Sequence, residues 1–136
     1  MEARLAYLET QIATAAPQQL RLMLIEGALR LARQTANAWH EDRPEEALET
    51  LIRCRSIITE LIAGIRAGSS RLADQVVGIY LFLFQELTQA QLRRDASRLE
   101  GVIRVLEEER TTWQQLCAAA GSSPLPSTAE RISLDA

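Results

Sequence analysis

Apolar positions recur at helical spacing along most of the chain. From Pro17 to His40, Leu20, Met23 or Leu24, Gly27 or Ala28, Leu31 and Trp39 share one face, with Leu22, Ile25 and Leu29 lying off it. Pro17 suits the first turn of this helix, where its missing N–H costs nothing, and Thr14 is a candidate cap. A second helix is predicted from Pro44. Asp42 is its expected cap, Glu45 and Glu46 sit in its first turn, and its stripe is Leu48, Leu51, Ile52, Arg55, Ile58, Leu61, Ile62 and Ile65. The stretch Ala67-Gly68-Ser69-Ser70 breaks the pattern. A third helix follows from about Ser70 to Arg94. Asp95 then caps a fourth, over about 95–119, with Leu99, Val102, Ile103, Leu106, Arg110, Trp113 and Leu116 in line and Gly121 as the expected stop. Helices of similar length joined by short loops predict an all-α fold, an antiparallel up-down four-helix bundle.

The bundle accounts for residues 17–120. Residues 1–16 form a short N-terminal arm whose apolar residues are Leu5, Tyr7, Leu8 and Ile12. Residues 121–136 hold Ser122, Ser123, Pro124, Pro126 and Ser127 and read as a flexible, disordered tail.

The run Val76-Val77-Gly78-Ile79-Tyr80-Leu81-Phe82-Leu83-Phe84 breaks the economy of the pattern. At about 100° per residue it covers the whole circumference of the third helix, whereas a bundle helix needs a single apolar stripe. Ile25, Leu29 and Leu22 on the first helix and Ile57 on the second add a milder excess. Three readings fit: a central helix covered on several sides, a β-strand, or an apolar groove open to another helix.

Composition narrows the chemistry. The 136 residues include 20 leucines and 20 alanines, which favour helix, and only 6 glycines and 4 prolines. The net charge is −3, every basic residue is arginine, and no segment has a basic surplus, so nucleic acid is not an expected partner. The longest apolar run is Val76–Phe84, far below the roughly 20 residues of a membrane span, so membrane insertion is not expected. One histidine, His40, and two cysteines, Cys54 and Cys117, cannot assemble the usual four-ligand zinc site, and no metal or cofactor is expected. The cysteines are read as small apolar residues in a reducing, cytoplasmic setting. Arg33 and His40 have the Arg-x6-His spacing of the HEPN-type helical ribonucleases, a pair able to hold a phosphate and shuttle a proton. His40 at a helix C-terminus is equally what the helix dipole favours. Glu107-Glu108-Glu109 reads as a solvated face, with Glu109 a candidate to turn towards a neighbour, and there is no Glu-x-x-His motif for a di-iron bundle. No catalytic residues are assigned.

In order along the chain stand Tyr7, Thr14-Ala15-Ala16-Pro17, Met23-Leu24-Ile25-Glu26-Gly27-Ala28-Leu29, Ile57-Ile58-Thr59-Glu60-Leu61, Ile79-Tyr80-Leu81-Phe82, Leu87, Ala90-Gln91, Asp95, Leu99, Val102, Val105-Leu106, Glu109-Arg110 and Trp113. This series resembles the flagellar secretion chaperone family, FliS, from Tyr7 to about Gln115. Departures are Ile25-Glu26 for the family's Tyr-Asp, Leu81 for an Asp, and Ser69-Ser70 for Gly-Gly. The resemblance implies a cytoplasmic chaperone, not an enzyme, that binds the C-terminal segment of flagellin. It would keep that segment from polymerising and present it to the flagellar type III export gate. Tyr7, Ile12, Leu51, Ile58, Tyr80, Phe82 and Phe84 are the candidate flagellin contacts, shared in unknown proportion with the core. The arm is a candidate lid over the groove. A generic helical adaptor, with a weak homodimer through the apolar face, is the alternative of another class.

Overall fold

The computed structural model describes residues 17–66 and 71–122. They form four α-helices and no strand: α1 (Pro17–His40), α2 (Pro44–Arg66), α3 (Arg71–Arg93) and α4 (Ala96–Ser122). The helices pack in a closed ring, α1 on α2, α2 on α3, α3 on α4, and α4 back on α1. Chain reversal at each short connection makes neighbours antiparallel, so the predicted up-down bundle is the observed fold. The arm, the tail, Thr14 and the 67–70 connection lie outside the described residues.

Two helix ends are built alike. Asp42 (φ 55°) and Arg94 (φ 51°) take the left-handed conformation that ends a helix. At the first, Arg43 N–H donates to the Ala38 carbonyl (2.7 Å) and Asp42 N–H to that of Trp39 (3.2 Å). At the second, Asp95 N–H donates to the Ala90 carbonyl (3.1 Å). Asp42 therefore closes α1 and does not cap α2. The residue before a proline is held out of the helical region, so Arg43 takes the cap position ahead of Pro44, and its carbonyl accepts from Ala47 N–H (3.1 Å). Asp95 does cap α4: its Oδ1 accepts from the N–H groups of Ser97 (3.0 Å) and Arg98 (3.3 Å). α4 runs past the expected stop at Gly121 to Ser122.

The core joins Ile25, Ala28, Leu29 and Ala32 of α1, Cys54, Ile58 and Leu61 of α2, Tyr80, Leu83 and Leu87 of α3, and Leu99, Val102 and Leu106 of α4. This overturns one expectation. Ile25 and Leu29 are fully buried and are not surplus apolar surface. In a closed ring α1 has a neighbour on each side, so its buried arc is wider than one stripe. The reverse error occurs on α2. Leu48 and Ile52, placed in the core stripe by spacing, are exposed. Among the buried side chains are two hydroxyls, Thr35 and Thr50, which bond each other across α1 and α2 (2.7 Å). Both also reach carbonyls of their own helices, so neither is unsatisfied.

Candidate functional site

Which of the apolar residues on α3 face water decides what the bundle can bind. The segment is helical, which removes the strand reading. Tyr80 and Leu83 are buried in the core, and Val76, Val77 and Phe84 are half-buried against it. Ile79 (37% exposed), Leu81 (42%) and Phe82 (50%) are not covered by any described element. The run is thus part core and part open surface.

The exposed residues fall on two sides of the α3 ridge. Ile79, Phe82 and Glu86 follow at i, i+3 and i+7, and Glu86 pairs with Arg98 of α4 (2.7 Å), so this strip borders α4. Leu81, Thr88 and Leu92 follow at i, i+7 and i+11, beside Phe84 and Gln91. Those two residues meet α2. Arg55 of α2 donates from Nη1 to Gln91 Oε1 (2.5 Å) and lies over the Phe84 ring, 5.1 Å from its centroid. On α2, Leu48, Ile52, Arg55 and Thr59 repeat at i, i+4, i+7 and i+11 on the side turned to α3. The two antiparallel rows flank a groove between α2 and α3. Leu48 and Ile52 (46% and 45% exposed) border it at one end beside Leu92, and Leu81 borders the other.

The sequence-derived contact residues distribute unevenly. Leu51, Ile58 and Tyr80 are buried and form the core beneath the helices, with no accessible face in this structure. Phe82 is exposed and Phe84 half-buried. Tyr7 and Ile12 lie outside the described residues. Leu48, Ile52 and Leu92 are not among the sequence-derived contacts, and Leu81 enters the sequence reading only as a departure from the family's Asp. An amphipathic stripe does not reveal which of its edges a neighbour leaves bare.

The polar side chains behave differently at the far end. The Tyr80 hydroxyl and Glu109 Oε1 are both buried without a hydrogen bond. Burial raises the tyrosine pKa above its ordinary value, and the nearby Glu109 carboxylate raises it further. Trp113 beside them carries the Arg21 guanidinium over its ring (5.1 Å). Glu109 is therefore turned inward, unlike Glu107, whose carboxylate pairs with Arg33 (2.9 Å).

The Arg33/His40 pair does not converge. Seven helical steps separate them by about 10 Å along the axis. Arg33 lines a shallow cleft of about 350 Å³ between α1 and α4 with Glu26, Arg30, Asn37 and Arg110, and His40 is not in its lining. Among the described residues no group of three or more His, Cys, Asp or Glu side chains is placed to hold a metal ion. No described helix is long and apolar enough to cross a membrane.

Comparison with known proteins places the chain. The profile of the family "Flagellar protein FliS" matches residues 1–120. The chain belongs to the FliS family. Curated relatives share the family over most of their length. The "Flagellar secretion chaperone FliS" of Bacillus subtilis is 31% identical over 110 residues, covering 81% of this chain and 82% of the relative. That of Campylobacter jejuni is 28% identical over 112 residues (82% and 88%), and that of Vibrio cholerae 25% over 115 (79% and 80%). FliS is a family of flagellar export chaperones and not of enzymes.

Proposed function

We propose that this protein is the cytoplasmic export chaperone of a flagellin. It binds the C-terminal region of the newly made subunit, keeps it from polymerising and delivers it to the flagellar export gate. The observation that carries this reading is the groove between α2 and α3, an apolar surface left bare by an otherwise well-packed bundle. A flagellin terminal segment that is unfolded as a monomer must be ordered on binding, so a continuous apolar contact has to offset that cost. Amphipathic helices satisfy such a groove with anchors at i, i+3, i+4 and i+7. In this reading Phe82 and Phe84 touch the client. Leu51, Ile58 and Tyr80 hold the helices that frame the groove, and Tyr7 and Ile12 of the arm occupy it until the client displaces them.

Titration calorimetry with a peptide spanning the last segment of the same organism's flagellin tests the proposal. Saturable binding, with a gain in helical circular dichroism, is expected. A protein that ignores this peptide and instead self-associates with concentration in size-exclusion chromatography is an adaptor or dimerisation module, and the chaperone reading fails. Deletion of residues 1–12 raises the peptide affinity if the arm is a lid, and leaves it unchanged if it is not.

A further inference from the structure

Among the described side chains that repeat along the groove, one carries a charge. Of the side chains that repeat along its two walls, Leu48, Ile52 and Thr59 on α2 and Leu81, Thr88 and Leu92 on α3 are uncharged, and Arg55 stands between them. Its guanidinium is held in place twice over, by the bond to Gln91 and by the face of Phe84. Yet it is not satisfied. Arg55 Nε is buried without an acceptor and out of a partner's reach, Nη1 is taken by Gln91, and among the described residues no carboxylate is paired with Arg55, which leaves Nη2 as the donor a partner can meet. Arg33, Arg43 and Arg98 each have a carboxylate partner, and Arg110 shares the buried unpartnered Nε; what sets Arg55 apart is its place between the two apolar rows.

We infer that Arg55 is a specificity-determining contact that selects a client segment with a carboxylate set among its apolar anchors. The inference rests on the chaperone reading and adds the chemistry the client must show. A client helix laid in the groove removes water from Arg55. Without an acceptor, that desolvation opposes binding. With a carboxylate opposite, Nη2 makes a charge-assisted bond in a site from which salt is partly excluded. Apolar rows alone would take any amphipathic helix, whereas a single fixed cation sets the register of the segment and rejects helices that place a lysine there. Arg55 is already oriented by Gln91 and Phe84, so little side-chain freedom remains to be lost on binding.

The test is a double-mutant cycle by calorimetry, at low and at high salt. One side is the wild-type protein and Arg55→Met. The other is the flagellin C-terminal peptide and a series in which each Asp or Glu is changed singly to its amide. One amide peptide is expected to bind the wild type about tenfold more weakly, and that loss should vanish against Arg55→Met. The wild-type affinity should also fall more steeply with salt than that of the variant. If every amide peptide binds the wild type as the native one does, or the loss is the same against Arg55→Met, the inference is wrong. The peptide arm leaves the chaperone unaltered, so a folding defect in the variant does not imitate the result. A merely structural bridge between α2 and α3 would lower the melting temperature of Arg55→Met and leave the cycle at zero. If the wild type does not bind the native peptide at all, the chaperone reading falls and this inference with it. Binding without a coupled carboxylate removes only the role of Arg55.

Discussion

Leu48 and Ile52 are the residues on which the groove stands or falls. They follow at i and i+4 on α2 and are 46% and 45% exposed. Burying a whole Leu or Ile side chain is worth about 1.5–3 kcal/mol, so the exposed half of each leaves about 1 kcal/mol for a partner to recover. The double variant Leu48→Gln/Ile52→Thr should then lose about 2 kcal/mol of binding, roughly thirtyfold in Kd. The two are neighbours, so simple addition is an upper bound. The buried halves also contribute to folding, and the variant should melt a few degrees lower while remaining helical. Ile58→Ala is the control. Ile58 is fully buried, and its truncation should cost about 2–5 kcal/mol of stability by leaving a cavity, with peptide affinity kept by the folded fraction. Calorimetry with the flagellin peptide, beside thermal melts, reads both quantities. If Leu48→Gln/Ile52→Thr binds like the wild type, the client does not use this groove. If Ile58→Ala weakens binding per folded molecule as much as the double variant, the division between core and contact surface is wrong.

Phe82 is half exposed on the strip that borders α4, so Phe82→Ser should weaken peptide binding with the helical circular dichroism intact; an unchanged affinity removes this strip from the contact. Arg94→Gly should raise stability by about 0.5–1 kcal/mol in denaturant melts, because glycine takes the left-handed conformation without the strain of a Cβ. The Ser97 hydroxyl, followed by the backbone N–H groups and guanidinium around it, holds the Asp95 carboxyl below its usual range. Its stabilisation is therefore complete above the ordinary carboxylate value and is lost as pH falls through the depressed folded value. Asp95→Ala should melt lower at neutral pH and show less acid dependence, whereas Asp95→Asn keeps the cap. Burial pushes the Cys54 thiol up to about 12, and its Sγ donates to the Ala28 carbonyl (3.3 Å). A thiol reagent should therefore modify Cys117 in the native protein and Cys54 only on unfolding; equal native rates would contradict the packing.

The architecture was legible because its signals are local. Pro44 and the cap Asp95 fix the starts of two helices by backbone chemistry that spacing and residue type already display. The groove was legible only in outline, because exposure depends on which neighbour covers which flank. Ile25 and Leu29 looked surplus until a second neighbour, α4, was placed beside α1. Leu48 and Ile52 looked like core until α3 was seen to leave the outer flank of α2 bare. Tyr80, Leu81 and Phe82 are consecutive and all large, yet the most polar of them is core and the other two border opposite sides of α3. Rotation of about 100° per residue makes that difference, and only the position of α2 and α4 fixes its phase.

The distribution of polar groups explains how such a bundle tolerates bare apolar surface. The α1–α2 interface is pinned by the Thr35–Thr50 hydroxyl pair, in which one hydroxyl donates to the other and the second gives its proton to a carbonyl of its own helix. A buried pair of this kind opposes sliding of one helix along the other, because a shift breaks the bond between the hydroxyls and leaves each only the carbonyls of its own helix. α1 and α2 are thereby held in register without help from the outer flank of α2. That flank and the neighbouring face of α3 are free to present leucine and isoleucine, broken up by Thr59, Gln85, Thr88 and Arg55. Interleaving limits the size of any continuous apolar patch, which disfavours indiscriminate association in the free protein. It also means that a partner gains the full apolar contact only if its own polar groups meet those breaks. In the proposed reading the surface excess of α3 and the Arg55 cation of α2 are one device: the first supplies the affinity for a helical segment, and the second decides which segment, and in which register, can use it.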